Sequence, residues 1–285
     1  MKAKIITLWV GFLVLLGTQH LLNAGEAQNS FKDAVKYHRA GKLKEAIAAY
    51  DKVIKADPKA AEAYNNRGLA YYTLGRNDDA IKDYDEALKL NGQLRDGYYN
   101  RANAYFVRKQ YDRAIKDYDE AIKRNSKFTK AYNQRAHAYY SLGQFEKAIQ
   151  DFNQSQNLNP KDPEVYYSRG LAQRRLGKHD RAVQDYTESI KLNPKNAEVY
   201  NNRANAYSLL GKYDDALKDY DRAIKLDPGN ARIYGNRGVV KMRQGKTNDA
   251  QKDFNKALEL DPSLKGKLER LMGAQEAPPT KRPAT

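Results

Sequence analysis

A 34-residue pattern returns without a gap from Ala27 to Leu264, and the stretch Ala61 to Leu94 (AEAYNNRGLAYYTLGRNDDAIKDYDEALKLNGQL) shows it most plainly. A chain with a fixed period of this length does not build one globular core. Each copy buries its apolar face only by stacking on its neighbours. The seven copies run 27–60, 61–94, 95–128, 129–162, 163–196, 197–230 and 231–264. The 285 residues are therefore counted in repeats rather than in domains.

Within a repeat the fourth place is aromatic in six copies, from Tyr64 to Tyr234, and the eighth is always small, as at Gly68, Ala102 and Ala136. These two places, with Tyr71, Tyr105, Tyr139 and Tyr207 at the eleventh, share one helical face. Gly41, Gly75, Gly143, Gly177, Gly211 and Gly245 then stop the helix, which predicts a first helix of about fourteen residues. A second helix follows from the small, large, small spacing of Ala80, Tyr84 and Ala87 and its counterparts, where small residues admit close helix approach and the ring fills the gap. Proline closes most repeats, at Pro58, Pro160, Pro194, Pro228 and Pro262. Gly92 and Ser126 replace it, so those two junctions are expected to be less sharply set.

This framework resembles the tetratricopeptide repeat over residues 27–264, with gaps at Ser30, Gln173 and Lys241. The resemblance implies an all-α fold, a right-handed superhelical solenoid of antiparallel helix pairs. It also implies that the first helices line a concave groove and that seven repeats make about one superhelical turn.

Residues 1–24 have the layout of a secretory signal: Lys2 and Lys4, an apolar run from Ile5 to Leu16, then Asn23, Ala24 and Gly25. Cleavage is expected after Ala24. The alternative is a membrane anchor, against which the apolar run stops at about a dozen residues where a spanning helix needs ~20. At the other end, Leu264, Leu268, Leu271 and Met272 share a helical face, so 265–273 is read as a helix covering the last repeat, and the Pro-rich 274–285 as a disordered tail. A net charge of +16 points to acidic partners without choosing among them. The absence of cysteine excludes disulfides, thiolate metal sites and Cys nucleophiles.

Three constellations bear on function. Arg stands at the seventh place of six repeats (Arg67 to Arg237) and Asp at the twenty-third of the same six (Asp83 to Asp253), and the first repeat lacks both. Loss of both together predicts an Arg–Asp bridge between the paired helices rather than an anion-binding row. The second constellation is a row of asparagines, Asn66, Asn100, Asn202 and Asn236 at the sixth place, interrupted by Gln134 and Ser168, with Asn103 and Asn205 one turn on. Asparagine is a mediocre helix former, so its recurrence needs a reason. The row resembles the asparagine ladder with which a member of the tetratricopeptide family holds peptide backbones; bonding inside the solenoid is the other reading. The third lies at the twelfth and thirteenth places, where Tyr72, Phe106 and Tyr140 give way to Arg174, Arg175 and Arg243. By the resemblance these face the groove, and an aromatic half followed by a basic half suits an apolar segment followed by acidic residues or a free carboxylate. Drift of exposed positions is the bland account.

Other classes find less support. Some family members clamp a client's terminal carboxylate with Lys at the fifth place, and the fifth places here, Phe31, Asn65, Tyr99, Asn133, Tyr167, Asn201 and Gly235, include none. The framework accounts for sixteen of the 22 tyrosines, which leaves little for stacking on nucleic acid. His20, His38, His137 and His179 stand apart, the Gly-Lys pairs lack the rest of a phosphate loop, and no nucleophile elbow is present. The expectation is thus an exported, non-enzymatic interaction scaffold without cofactor or metal, holding an extended peptide or partner protein. A basic solenoid on an anionic envelope polymer or membrane surface is the alternative.

Overall fold

The computed structural model describes residues 26–273, and the side chains of 26–270. The expected leader and the tail from residue 274 lie outside them. Every described element is helical. The chain divides by contact into two compact bodies, the first ending at Leu142 and the second beginning at Gly143.

The N-terminal body holds α1 (26–39), α2 (Leu43–Ala56), α3 (Ala61–Thr73), α4 (Asn77–Leu90), α5 (Arg95–Val107), α6 (Tyr111–Arg124) and α7 (Thr129–Ser141). The C-terminal body holds α8 (Phe145–Leu158), α9 (Pro163–Arg175), α10 (His179–Leu192), α11 (Ala197–Leu209), α12 (Tyr213–Leu226), α13 (Ala231–Arg243) and α14 (Thr247–Leu260). A 3-10 turn (Pro262–Leu264) then leads into α15 (Lys265–Gly273). From α3 onward each first helix has 13 residues and each second helix 14. Inside each body a first helix packs on its own second helix, on the second helix before it and, more lightly, on the next first helix.

The small residues and the ring between them make the core. Tyr84, Tyr118, Tyr186 and Tyr220, with Phe152 and Phe254, are fully buried among alanines that have no accessible surface. At Gly170 and Gly238 an added Cβ would come within 2.6 Å of the ring carbons of Tyr186 and Phe254. The tyrosines at the fourth and eleventh places do something else. All but the buried Tyr200 are half-buried, and they flank the repeat's arginine, as Tyr64 and Tyr71 do for Arg67 at 5.5 and 5.9 Å.

The turn inside each repeat needs a left-handed residue, and the six glycines there have φ between 72 and 76°. The third repeat carries Lys109 instead, at φ 59°.

The junctions at Gly92 and Ser126 are not looser than the rest: α4 and α6 end, and α5 and α7 begin, at the places seen elsewhere. That corrects the expectation drawn from the missing prolines. The turn is set one residue earlier, by an Asp or Asn at the thirty-first place of all seven repeats. At the two junctions without proline its side chain accepts the backbone N–H two residues on, Gln93 to Asn91 at 3.0 Å and Lys127 to Asn125 at 3.0 Å, as Lys59 does to Asp57 at 2.9 Å. An Asx turn fixes the corner with or without proline.

At the C-terminus Leu268 is buried and Leu264 packs against the same cluster as Phe254 and Ala257. The helix α15 thus packs on α13. The side chains of Leu271 and Met272 fall outside the described set.

Candidate polypeptide-binding surface

The arginines at the seventh place are internal ties. Arg67 grips Asp83 with two hydrogen bonds of 2.8 and 2.6 Å and reaches back to Asp51 at 2.6 Å. Arg101 and Arg237 repeat the arrangement on Asp117 and Asp253, with Asp85 and Asp221 behind. The hydrogen bonds to Asp83 and Asp253 push Arg67 and Arg237 above their ordinary value, against a burial penalty. These charges are answered where they stand, so the row does not form an anion site. The back-reaching partner, at the twenty-fifth place of the preceding repeat, was not read from the sequence; it is Asp51, Asp85, Asp119 and Asp221, but Asn153 and Thr187 for Arg169 and Arg203. At the framework gap Lys241, the ammonium adds a 2.8 Å bond to Asp253.

The asparagines are tied into the solenoid as well. Asn100 donates to Asn65 at 3.1 Å, Asn236 to Asn201 at 3.1 Å, and Asn202 to the Tyr167 hydroxyl at 3.1 Å and the Glu198 carbonyl at 3.0 Å. A sixth-place amide therefore bonds the fifth place of the repeat before it. Asn66 accepts from its neighbour Asn65 at 3.3 Å. Asn103 and Asn205 accept from the buried hydroxyls of Tyr118 and Tyr220, each at 2.7 Å. The alternative of bonding inside the solenoid accounts for the row's recurrence. It leaves a further contact open to each amide, which has both donor and acceptor capacity.

In the C-terminal body the expected places converge. A cavity of about 530 Å³ is lined by Arg174 from α9, Asn202, Asn205, Ser208 and Leu209 from α11, and Asn236, Val239, Val240 and Arg243 from α13, with Tyr220, Arg232 and Lys267. Apart from Tyr220 on α12 and Lys267 on α15, these are first-helix positions of three successive repeats. The lining holds four cations and no carboxylate. Arg243 donates to Ser208 at 3.3 Å, and the Arg174 Nε is buried without a hydrogen-bond partner. Arg232 also borders an adjoining cavity of about 570 Å³ lined by Glu198 and Asp227, so its charge is shared with acids on that side.

Arg175 is not part of this group. One residue beyond Arg174 on the helix, it is exposed and stands 5.0 Å from the centre of the Phe145 ring. In the N-terminal body Asn66, Asn100, Asn103, Tyr72, Phe106 and Tyr140 occupy the equivalent first-helix places and are half-buried. Phe106 packs edge-on against Tyr111 at 5.3 Å, which makes it part of its own helix turn. The cavity residues not read from the sequence are Arg232, Leu209, Val239, Val240, Tyr220 and Lys267. Arg232 was legible, lying four residues before Asn236 on one helical face. Lys267 was not, because α15 stands outside the repeat register.

Among the described residues no group of acidic, His or Cys side chains is placed to hold a metal ion, and no helix is long and apolar enough to cross a membrane.

Comparison with known proteins agrees with this fold. The family model described as the C-terminal domain of cilia and flagella-associated protein 70 matches residues 55–274, and a tetratricopeptide-repeat model matches 37–59. No curated protein matches the chain significantly. Among solved structures the MamA protein is 28% identical, with a TM-score of 0.56 over 61% of this chain and 96% of its own. YrrB, described as a TPR protein with an unusual peptide-binding site, is 23% identical, with a TM-score of 0.58 over 63% of this chain and 93% of its own. The C-terminal part of a repeat protein from Cytophaga hutchinsonii is 22% identical, with a TM-score of 0.70 over 85% of this chain and 99% of its own. The 34-residue framework, the helix pairs it builds and the family models on the same residues converge: the chain belongs to the tetratricopeptide-repeat family, a family of protein-interaction scaffolds.

Proposed function

We propose that this protein is an exported, non-enzymatic scaffold that holds an extended polypeptide or a partner protein on the surface lined by its first helices. The observation that carries the reading is the cavity between α9, α11 and α13, where amides, apolar side chains and cations face one space whose lining has no carboxylate. Amide groups engage a backbone without reading its sequence, while Leu209, more than half exposed, offers an apolar contact beside them. YrrB supplies a peptide-binding precedent on the same fold.

The test is crosslinking capture from the envelope fraction, comparing the intact protein with Leu209→Ala and Asn236→Ala. Loss of one and the same protein from both variants is expected. An unchanged capture set, released by salt alone, would instead favour an anionic polymer held by net charge. Export has its own check: N-terminal sequencing of the mature protein should begin at Gly25, and an intact Met1 would contradict it.

A further inference from the structure

Helix α15 does more than cover the last repeat. Leu268 is buried, and its Cδ2 would lie 3.3 Å from a Cβ built on Gly235, so the glycine lets α15 settle closely on α13. That contact fixes the register of the preceding residue, and Lys267 stands at the wall of the cavity. Arg174 and Arg243 bring cations from α9 and α13 to the same space, which has no carboxylate in its lining. Like charges gathered around a cavity repel one another, and an incoming anion removes that repulsion. Arg174 lines this space with its Nε buried and without a hydrogen-bond partner, so its guanidinium is not tied to an acid there.

We propose that Lys267, Arg174 and Arg243 form a cationic subsite for the side-chain carboxylates of an acidic polypeptide segment, with α15 as an integral part of the site. The inference rests on the reading of this surface as a polypeptide-binding one and names the chemistry of the segment. Three helices contribute one cation each, so a run of carboxylates meets all three where a single chain-terminal carboxylate would meet one or two. Leu209 and Val239 beside them suit an aliphatic residue next to the acids.

The experiment uses the mature protein and a fluorescent decapeptide of alternating Glu and Leu, blocked at both ends, with a Gln-for-Glu peptide as its neutral partner. A third probe is the Gln peptide with a free terminal carboxylate. The proteins compared are wild type, Lys267→Gln, the triple change Arg174→Gln, Arg243→Gln, Lys267→Gln, and a control triple, Lys218→Gln, Lys225→Gln, Lys252→Gln, which removes the same charge from exposed lysines of α12 and α14. The Glu peptide should bind about tenfold tighter than the Gln peptide, and Lys267→Gln, an exposed and fold-neutral change, should remove a good part of that margin. The site triple should abolish the margin and the control triple should leave it.

Equal loss from both triples would overturn the subsite, since bulk charge would then explain the preference. Binding that follows the free terminal carboxylate would reassign the subsite to a chain end and overturn the side-chain version. If the Glu and Gln peptides bind alike and Leu209→Ala weakens both, the subsite fails and the binding surface stands. If neither peptide responds to Leu209→Ala or to the site triple, the surface itself is wrong.

Discussion

A hydroxyl buried with a tyrosine ring needs an acceptor, and the repeats differ in whether they supply one. Tyr118 and Tyr220 donate to Asn103 and Asn205 at 2.7 Å, whereas the Tyr84 hydroxyl has no hydrogen-bond partner, the equivalent of Asn103 there being Leu69. Tyr118→Phe should cost about 1 kcal/mol in urea denaturation, while Tyr84→Phe should be neutral or slightly stabilising. Equal losses would show that the asparagines do not matter to these rings. The same place in α7 carries His137, whose imidazole burial holds below its ordinary value. A histidine less basic when folded binds fewer protons than in the unfolded chain. Its contribution is therefore complete above the unfolded value of about 6.5 and declines as pH falls from there through the folded value. His137→Asn, the residue found at this place in α5 and α11, should flatten the acid limb of the urea midpoint plotted against pH. His38, shifted the same way, keeps a residual slope. A limb unchanged by the substitution would exclude His137 as its source.

At the scale of the element, the period fixes more than the individual propensities do. The second helices begin at Lys, Arg or Gln caps, none with a side-chain cap bond, and still all have 14 residues. What sets their starts is the left-handed residue immediately before the cap, which is glycine in six repeats and Lys109 in the third. Lys109→Gly should raise the stability by about 1 kcal/mol, since an L-residue there holds a conformation that glycine reaches freely. A lowered melting temperature would contradict it. Helix number, helix type and the pairing of first with second helices were legible because aromatic, small and glycine positions recur at one spacing. The junctions were misread because proline drew attention away from Asp or Asn at the thirty-first place, present in every copy and capable of forming the turn alone. The Arg–Asp bridge was legible from a joint absence in the first repeat, but its second arm was not, since Asn153 and Thr187 break the acidic pattern there.

At the scale of the whole molecule, a repeat array is held by each repeat's own packing and by its contacts with neighbours. The arginines serve both, bonding within the repeat and back to the one before. Such a framework leaves first-helix side chains free to differ from copy to copy, and this is where the chain carries its individuality. The sequence groups Arg174 and Arg243 with the amides of α11 and α13, which line one cavity, yet it adds Arg175, which stands beside Phe145, and omits Lys267, whose placement depends on how α15 seats on Gly235. Binding by this face is the central claim, and amide hydrogen exchange of the protein with and without its crosslink-identified partner tests it most directly. The account predicts new protection in α9, α11 and α13, with the second helices α10, α12 and α14 unchanged on their outer turns. Protection confined to those second helices would contradict it.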